Sequence, residues 1–288
     1  MTGRGGRSHL FLRVEFLFLG TGTSAGVPAI GCGCGVCMST DARDQRLRCG
    51  AAIRFVDPGG QARVILIDAT PDLRQQALAH KITRCDAILF THHHVDHIFG
   101  LDEVRRFNLL QNGPVEVHAD VQTMGNLRRV YAHIFEREAN ANDSFVASLI
   151  AQTIQPWVGF ELFGLRITPI RLLHGRTPIL GFRFDAVNAH RDGSMRAGFL
   201  PLAYCTDVSA IPPESWPYLE GLGTLVLDAL RHKRHPTHLT VEQAVGIAER
   251  VAPRQTFLTH IAHDLPHEET NAQLPEGVRL AHDGLLLG

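Results

Sequence analysis

The chain has 288 residues, 44% of them hydrophobic and 20% charged, enough to bury a large core. With 28 lysine plus arginine against 29 aspartate plus glutamate, the net charge is -1 and the isoelectric point lies near 7.0, which argues against a broad basic surface for long nucleic acid and leaves small anionic substrates open. No stretch approaches the roughly 20 uninterrupted apolar residues of a membrane helix.

Met1 to Arg13 reads as a loose Gly/Arg tail. Leu10 to Leu19, preceded by Arg4 and Arg7, has some features of a signal peptide. Arg13 and Glu15 interrupt it, however, and Val14, Phe16 and Phe18 alternate as in a strand, so a cytoplasmic protein is expected, with residues 14–288 forming one α/β domain. The strand leads into Gly20-Thr21-Gly22-Thr23-Ser24-Ala25-Gly26, which lacks the Gly-Lys-Ser/Thr ending of a P-loop and reads as a tight turn rather than a phosphate cradle. Next comes Gly31-Cys32-Gly33-Cys34-Gly35-Val36-Cys37, where glycines let three thiols gather about one point. C-x-C-x-x-C thiolates suit a tetrahedral zinc, with His263 as the natural fourth donor. The competing reading, a disulfide, is disfavoured by the strain of a C-x-C bridge and the lack of secretory context. Cys49, Cys85 and Cys205 lie among apolar or strand-like neighbours and read as buried small hydrophobes.

Ala51–Phe55 and Arg63–Ile67 form a hairpin pattern around Asp57-Pro58-Gly59-Gly60. Asp68 follows directly, and Thr70-Pro71 reads as N-cap and first residue of a helix to about His80. The apolar run Ala87-Ile88-Leu89-Phe90 predicts a buried strand that delivers Thr91-His92-His93-His94-Val95-Asp96-His97. In it His92, His94, Asp96 and His97 spell H-x-H-x-D-H. Alternation sends His92 and His94 to one side while Asp96 and His97 follow where the chain can turn, so one cation can take the first pair and a second the other. From Val121 through Met124, Leu127, Val130, Tyr131 and Ile134, apolar positions recur at three and four and predict a core-facing helix. Residues 139–143 are polar and read as a mobile loop; whether they close over substrate is left open.

Two cations need more ligands than one run supplies. His174, Asp207, Asp228 and His260 each end a strand-like segment: Ile167–Leu173, Leu202–Thr206, Leu225–Leu227 and Thr256–Thr259. Thr240-Val241-Glu242-Gln243 is a capping box opening a helix to about Val251, which places His238 just before a helix N-terminus, where anions are favoured. Among the basic residues nearby, Arg231 and Arg234, together with Arg176 two residues past His174, are candidates to hold a substrate phosphate; the rest of the run reads as facing water.

These residues, in this order and context, resemble the metallo-β-lactamase superfamily of dinuclear hydrolases. The resemblance implies an αββα sandwich of two mixed β-sheets flanked by helices. It also implies that His92, His94 and His174 hold one metal, that Asp96, His97 and His260 hold the other, and that Asp207 bridges both, with no ligand role for Asp228. Asp68 would support the metal loop from behind, a plain turn or capping carboxylate being the alternative. His238 would give a proton to the leaving oxygen, with Asp96 counted beside it as catalytic. The combination of H-x-H-x-D-H, the cysteine cluster and the closing H-x-x-H, from about Val14 onward, is similar to the phosphoribosyl cyclic phosphate phosphodiesterases of phosphonate breakdown. The implied reaction opens 5-phosphoribosyl 1,2-cyclic phosphate to the 1-phosphate by hydroxide bridging two divalent ions, manganese or zinc, with one structural zinc at the cysteines. The partner implied is a small phosphorylated sugar or cyclic nucleotide, without a membrane, and a homodimer is compatible with it. Two other readings remain. Transfer-RNA 3′-end nucleases share Gly-Thr-Gly-Thr-Ser and H-x-H-x-D-H, but call for a basic exosite arm that this charge balance does not supply. The proteins of pyrroloquinoline quinone biosynthesis share a cysteine-rich opening and would make this a metal binder without turnover; His238 and its basic neighbours speak against that.

Overall fold

The computed structural model describes residues 14–136, 145–186 and 198–288, so the tail and the 139–143 segment lie outside the described residues. One sheet contains β1 (Glu15–Gly20), β2 (Gly50–Val56), β3 (Ala62–Ile67), β4 (Ala87–Leu89), β5 (Val115–Ala119), β6 (Leu149–Thr153) and β14 (Leu286–Leu287). The other contains β7 (Phe160–Leu162), β8 (Leu165–His174), β9 (Thr177–Ala186), β10 (Leu202–Cys205), β11 (Thr224–Asp228), β12 (Gln255–Thr259) and β13 (Val278–Leu280). Strand orders are β14-β1-β2-β3-β4-β5-β6 and β13-β12-β11-β10-β9-β8-β7. Each sheet is mixed: β3 to β6 run parallel, as do β10 to β13, while the remaining pairs, the β1–β14 closure among them, are antiparallel.

Alternation along the strands builds the layers. In β1, Phe16 and Phe18 point between the sheets, whereas Leu17 and Leu19 point to the helical side; in β10, Leu202 and Tyr204 point inward, whereas Ala203 and Cys205 point outward. Phe16, Phe18, Phe182, Phe184 and Tyr204 are fully buried in the central layer, where Phe16 and Phe18 meet edge to face at 5.0 Å. Helices α1 (Leu73–Ala79), α2 (Val95–Ile98), α3 (Arg105–Gln111), α4 (Val121–Val130) and α5 (Ala132–Phe135) bury their apolar faces outside the first sheet. Helix α6 (Val241–Val251) covers the second sheet, and α7 (His267–Gln273) lies against β13. The αββα sandwich expected from the resemblance is therefore the observed architecture.

Two boundaries differ from the sequence expectation. Helix α1 begins at Leu73 with Asp72 as its N-cap, not at Pro71 after Thr70. Thr70 nonetheless makes a cap bond, its hydroxyl accepting the Asp72 backbone N–H at 3.2 Å while donating to Gln76 Oε1 at 3.0 Å, and Asp72 binds the Arg48 backbone N–H and guanidinium. The single helix expected from Val121 to Ile134 is broken at Tyr131, whose hydroxyl is drawn inward to donate to the Ile98 carbonyl at 2.9 Å. The capping box at Thr240 and Gln243 is present with both reciprocal bonds.

Candidate metal centre and proton donor

The parallel strands deliver their polar ends to one edge of the sandwich. Asp68 follows β3, Thr91 and His92 follow β4, Asp207 follows β10, Asp228 ends β11 and His260 follows β12. Asp68, Asp207 and His260 adopt left-handed backbone conformations, with φ of 64°, 59° and 59°. Non-glycine residues seldom do so, and such strain gathers where side chains must be aimed rather than where strands continue.

Ligand atoms of His92, His94 and His174 lie within 4.8 Å of one another, and so do those of Asp96, His97, Asp207 and His260. Asp207 lies between imidazoles, 3.3 Å from His97 Nε2 and 3.2 Å from His260 Nε2. Asp96 Oδ2 is 3.4 Å from His97 Nε2. The far nitrogens of His92, His97 and His174 are held from behind, which fixes the orientation of those three rings. His97 Nδ1 meets Asp68 Oδ2 at 2.7 Å, His92 Nδ1 meets the Thr91 hydroxyl at 3.0 Å, and His174 Nδ1 donates to the Thr237 carbonyl at 2.9 Å. Asp68 also accepts from the Thr91 backbone N–H at 2.8 Å and from its hydroxyl. The inward nitrogens of His92, His97 and His260 are buried without a hydrogen-bond partner. Buried polar atoms are rarely left so. Three orphaned imidazole nitrogens converging with two carboxylates form a donor set that fits divalent cations.

Electrostatics are strongly coupled here. Burial pushes the His92 imidazole well below its usual range and His174 down to about 4, so both favour the neutral form that coordinates metals. At His97 burial opposes protonation, but the carboxylates of Asp207, Asp68 and Asp96 outweigh it and raise that ring. Burial likewise opposes ionisation of Asp207, yet the neighbouring His260, His97 and His92 hold it well below the carboxylate range.

His238 is brought beside this cluster. Its ring lies 4.7 Å from that of His174 and stacks on His260 at 4.6 Å. Nδ1 pairs with Asp228 Oδ1 at 2.9 Å, leaving Nε2 for a substrate; Asp228 Oδ2 accepts the Leu239 backbone N–H at 2.9 Å. Sequence reasoning gave Asp228 no ligand role and missed this contact. Its signal was available: a carboxylate ending a buried strand, ten residues before a histidine that the capping box pins in place. Thr91 and Thr237 were missed too, because one acts through a hydroxyl and the other through a backbone carbonyl.

The three clustered cysteines surround His263, with Sγ to Nδ1 distances of 3.2, 3.3 and 3.5 Å for Cys32, Cys34 and Cys37. All six cysteines are free, so the disulfide alternative does not occur. The Cys37 backbone N–H and His263 bring the Cys34 thiol down to about 6, whereas burial pushes Cys37 up to about 11. Four donors at these distances fit a tetrahedral zinc. Cys49, Cys85 and Cys205 are buried. The Gly20–Gly26 turn packs closely instead of opening a cradle: Gly22 bridges to Arg48 and Ile261, and the Ile261 backbone N–H donates to the Thr21 carbonyl. Arg176 and Arg234 are exposed, and Arg231 is half-buried with Nε donating to the Lys233 carbonyl at 3.2 Å. No helix among the described residues is long and apolar enough to cross a membrane.

An αββα sandwich with imidazole and carboxylate donors gathered at its strand ends defines a class of metal-dependent hydrolases. The chain belongs to the β-lactamase superfamily, whose domain model matches residues 63–261. A crystal structure of a diphosphatase from the PhnP family is 43% identical, with a TM-score of 0.82, over 96% of this chain and 98% of that one. Zinc-bound PqqB from Methylobacterium extorquens is 21% identical at a TM-score of 0.71, covering 95% of this chain and 99% of that one, a likeness of fold. An octanoyltransferase of Porphyromonas gingivalis is 34% identical over 93% of this chain; the match covers 50% of that protein, so the chain spans about half the length of this curated relative.

Proposed function

We propose that this chain is a metal-dependent phosphodiesterase that opens small cyclic phosphates, with 5-phosphoribosyl 1,2-cyclic phosphate yielding the 1-phosphate as its favoured reaction. The observation that carries the reading is the convergence of buried, unpartnered nitrogens of His92, His97 and His260 with Asp96 and Asp207, beside a histidine backed by a carboxylate. The 43% identity with a PhnP-family diphosphatase supports the same class of chemistry.

His92, His94 and His174 would hold one divalent ion and Asp96, His97 and His260 the other, with Asp207 shared between them. Manganese or zinc there would supply Lewis acidity to the phosphoryl oxygens and make hydroxide available near neutral pH. The chain's own residues do the rest. Asp68 and Thr91 keep His97 and His92 turned inward, and the Thr237 carbonyl does so for His174. His238, with Nδ1 held by Asp228, presents Nε2 to the departing oxygen and donates a proton there, because an alkoxide is a poor leaving group. Cys32, Cys34, Cys37 and His263 would hold a structural zinc, tying the cysteine loop to the segment that carries His260.

The test incubates metal-loaded protein with a cyclic sugar phosphate, a chromogenic phosphodiester and a precursor transfer RNA. Turnover of the cyclic phosphate and the chromogenic ester is the expected result. Turnover of the RNA alone would replace this reading with the nuclease one, and metal binding without any turnover would favour the non-hydrolytic reading.

A further inference from the structure

A cleft of about 450 Å³ opens beside the site, lined by residues that include Asp120, Gln122, Gln155, Trp157, Arg171 and Leu180. It adjoins the metal-binding run directly. Leu180 donates its backbone N–H to the Thr91 carbonyl at 2.9 Å, and Arg171 pairs with Leu180 across β8 and β9, three residues before His174. Three residues along a strand span roughly 10 Å, about the reach of one small phosphorylated sugar.

The wall formed by Trp157 and Arg171 is firmly built. Trp157 takes a left-handed backbone conformation (φ 67°), its N–H donates to the Pro169 carbonyl at 2.7 Å, and its indole Nε1 donates to Ser215 Oγ at 3.3 Å. The Ser215 hydroxyl in turn donates to the Arg171 carbonyl at 2.6 Å. The Arg171 guanidinium lies over the indole, 5.0 Å from its centroid, and no carboxylate among the described residues pairs with it. Asp120, which also lines the cleft, has an oxygen committed to the Thr123 backbone N–H at 2.7 Å as the cap of α4. An exposed guanidinium set over an indole, without a carboxylate partner among the described residues, is arranged to take a phosphate or carboxylate through its fork.

We propose that this cleft binds the part of the substrate bearing a second anionic group, a terminal phosphomonoester on a small sugar, and that Arg171 sets the preference for it. The inference rests on the phosphodiesterase reading and deepens it. It places the anion contact on β8, rather than on Arg176, Arg231 or Arg234.

The experiment compares ribose 1,2-cyclic phosphate with and without its 5-phosphate, using metal-loaded wild type, Arg171→Gln and Arg171→Lys. In wild type the 5-phosphorylated substrate is preferred in kcat/KM. Arg171→Gln lowers that preference by about ten- to a hundredfold, mostly through KM, the range expected for a lost charge-assisted hydrogen bond, and Arg171→Lys restores part of it. Ribose 5-phosphate binding, followed by calorimetry, weakens in the Gln variant by a similar factor. Equal losses on both substrates would mark Arg171 as merely structural and overturn the proposal, as would an unchanged preference or its transfer to Arg231→Gln. If wild type opens the unphosphorylated ring equally well, the subsite falls while the phosphodiesterase reading stands; if neither ring is opened, both fall.

Discussion

His238 keeps one nitrogen for Asp228 and one for the departing oxygen, so its contribution depends on how badly that oxygen needs a proton. His238→Ala is expected to slow a diester with a sugar alkoxide leaving group by about 10²- to 10⁴-fold, and one releasing p-nitrophenolate far less, with metal content unchanged. Asp228→Asn keeps the ring but loses the carboxylate at 2.9 Å that selects its tautomer, and should show the same leaving-group pattern with a smaller loss. Equal losses on both leaving groups would remove His238 from the proton-transfer role. Asp207→Ala differs in kind: a carboxylate lying 3.3 and 3.2 Å from two imidazoles is removed, so elemental analysis should find less metal and both esters should slow together. The grouping of His92, His94, Asp96 and His97 was legible because seven consecutive residues contain it. The contacts of Asp228 and Thr91 were not, since a hydrogen bond across a loop has no spacing rule and a threonine before a histidine is commonplace.

Strands were the easiest elements to read, because alternation in β1, β3 and β10 records two different environments, the central layer and the helix-covered face. Helix limits were harder. At the start of α1 the Thr70 hydroxyl does cap the Asp72 N–H, but Asp72 is drawn to Arg48, a partner distant in sequence, and the regular helix begins only at Leu73. The cysteine loop was legible as an element because its thiols are close in sequence, and its partner because His263 follows His260 by three residues. Cys34→Ser should reduce bound zinc and lower the melting temperature, since metal held by a folded site contributes directly to folding free energy. Unchanged zinc stoichiometry and melting would rule the structural zinc out. At the end of β1, a Cβ on Gly20 would fall 2.0 Å from the Arg48 carbonyl and 2.8 Å from Gln76 Nε2. Gly20→Ala should therefore cost about 1–3 kcal/mol in urea unfolding through a forced backbone shift; a wild-type midpoint would show that the turn gives way freely.

Across the whole molecule, a buried polar network joins the two ends of the chain. Arg46 donates to the Thr21 hydroxyl at 2.8 Å, to the Ala281 carbonyl at 2.7 Å and to His267 Nδ1 at 3.1 Å; the His267 backbone N–H donates to Asp44; and Asp283 accepts from Thr21 and from the Leu47 backbone N–H. Two of its members titrate in opposite senses. Burial, aided by Arg46, lowers His267 from 6.5 to about 4, so the folded state binds fewer protons there than the unfolded chain. The stability His267 contributes is present above about 6.5 and is lost as pH falls through 4. Burial raises Asp283 from 3.8 to about 6, against the bonds from Leu47 and Thr21, so its contribution is present below 3.8 and is lost as pH rises through 6. Between about pH 4 and 6 the two effects oppose one another, and together they flatten the stability profile. Urea unfolding across that window separates them. The stability difference between wild type and His267→Gln should grow with rising pH, and that between wild type and Asp283→Asn should shrink. The comparison cancels the other titrating groups, so parallel profiles for all three proteins would show that neither residue changes its proton affinity on folding.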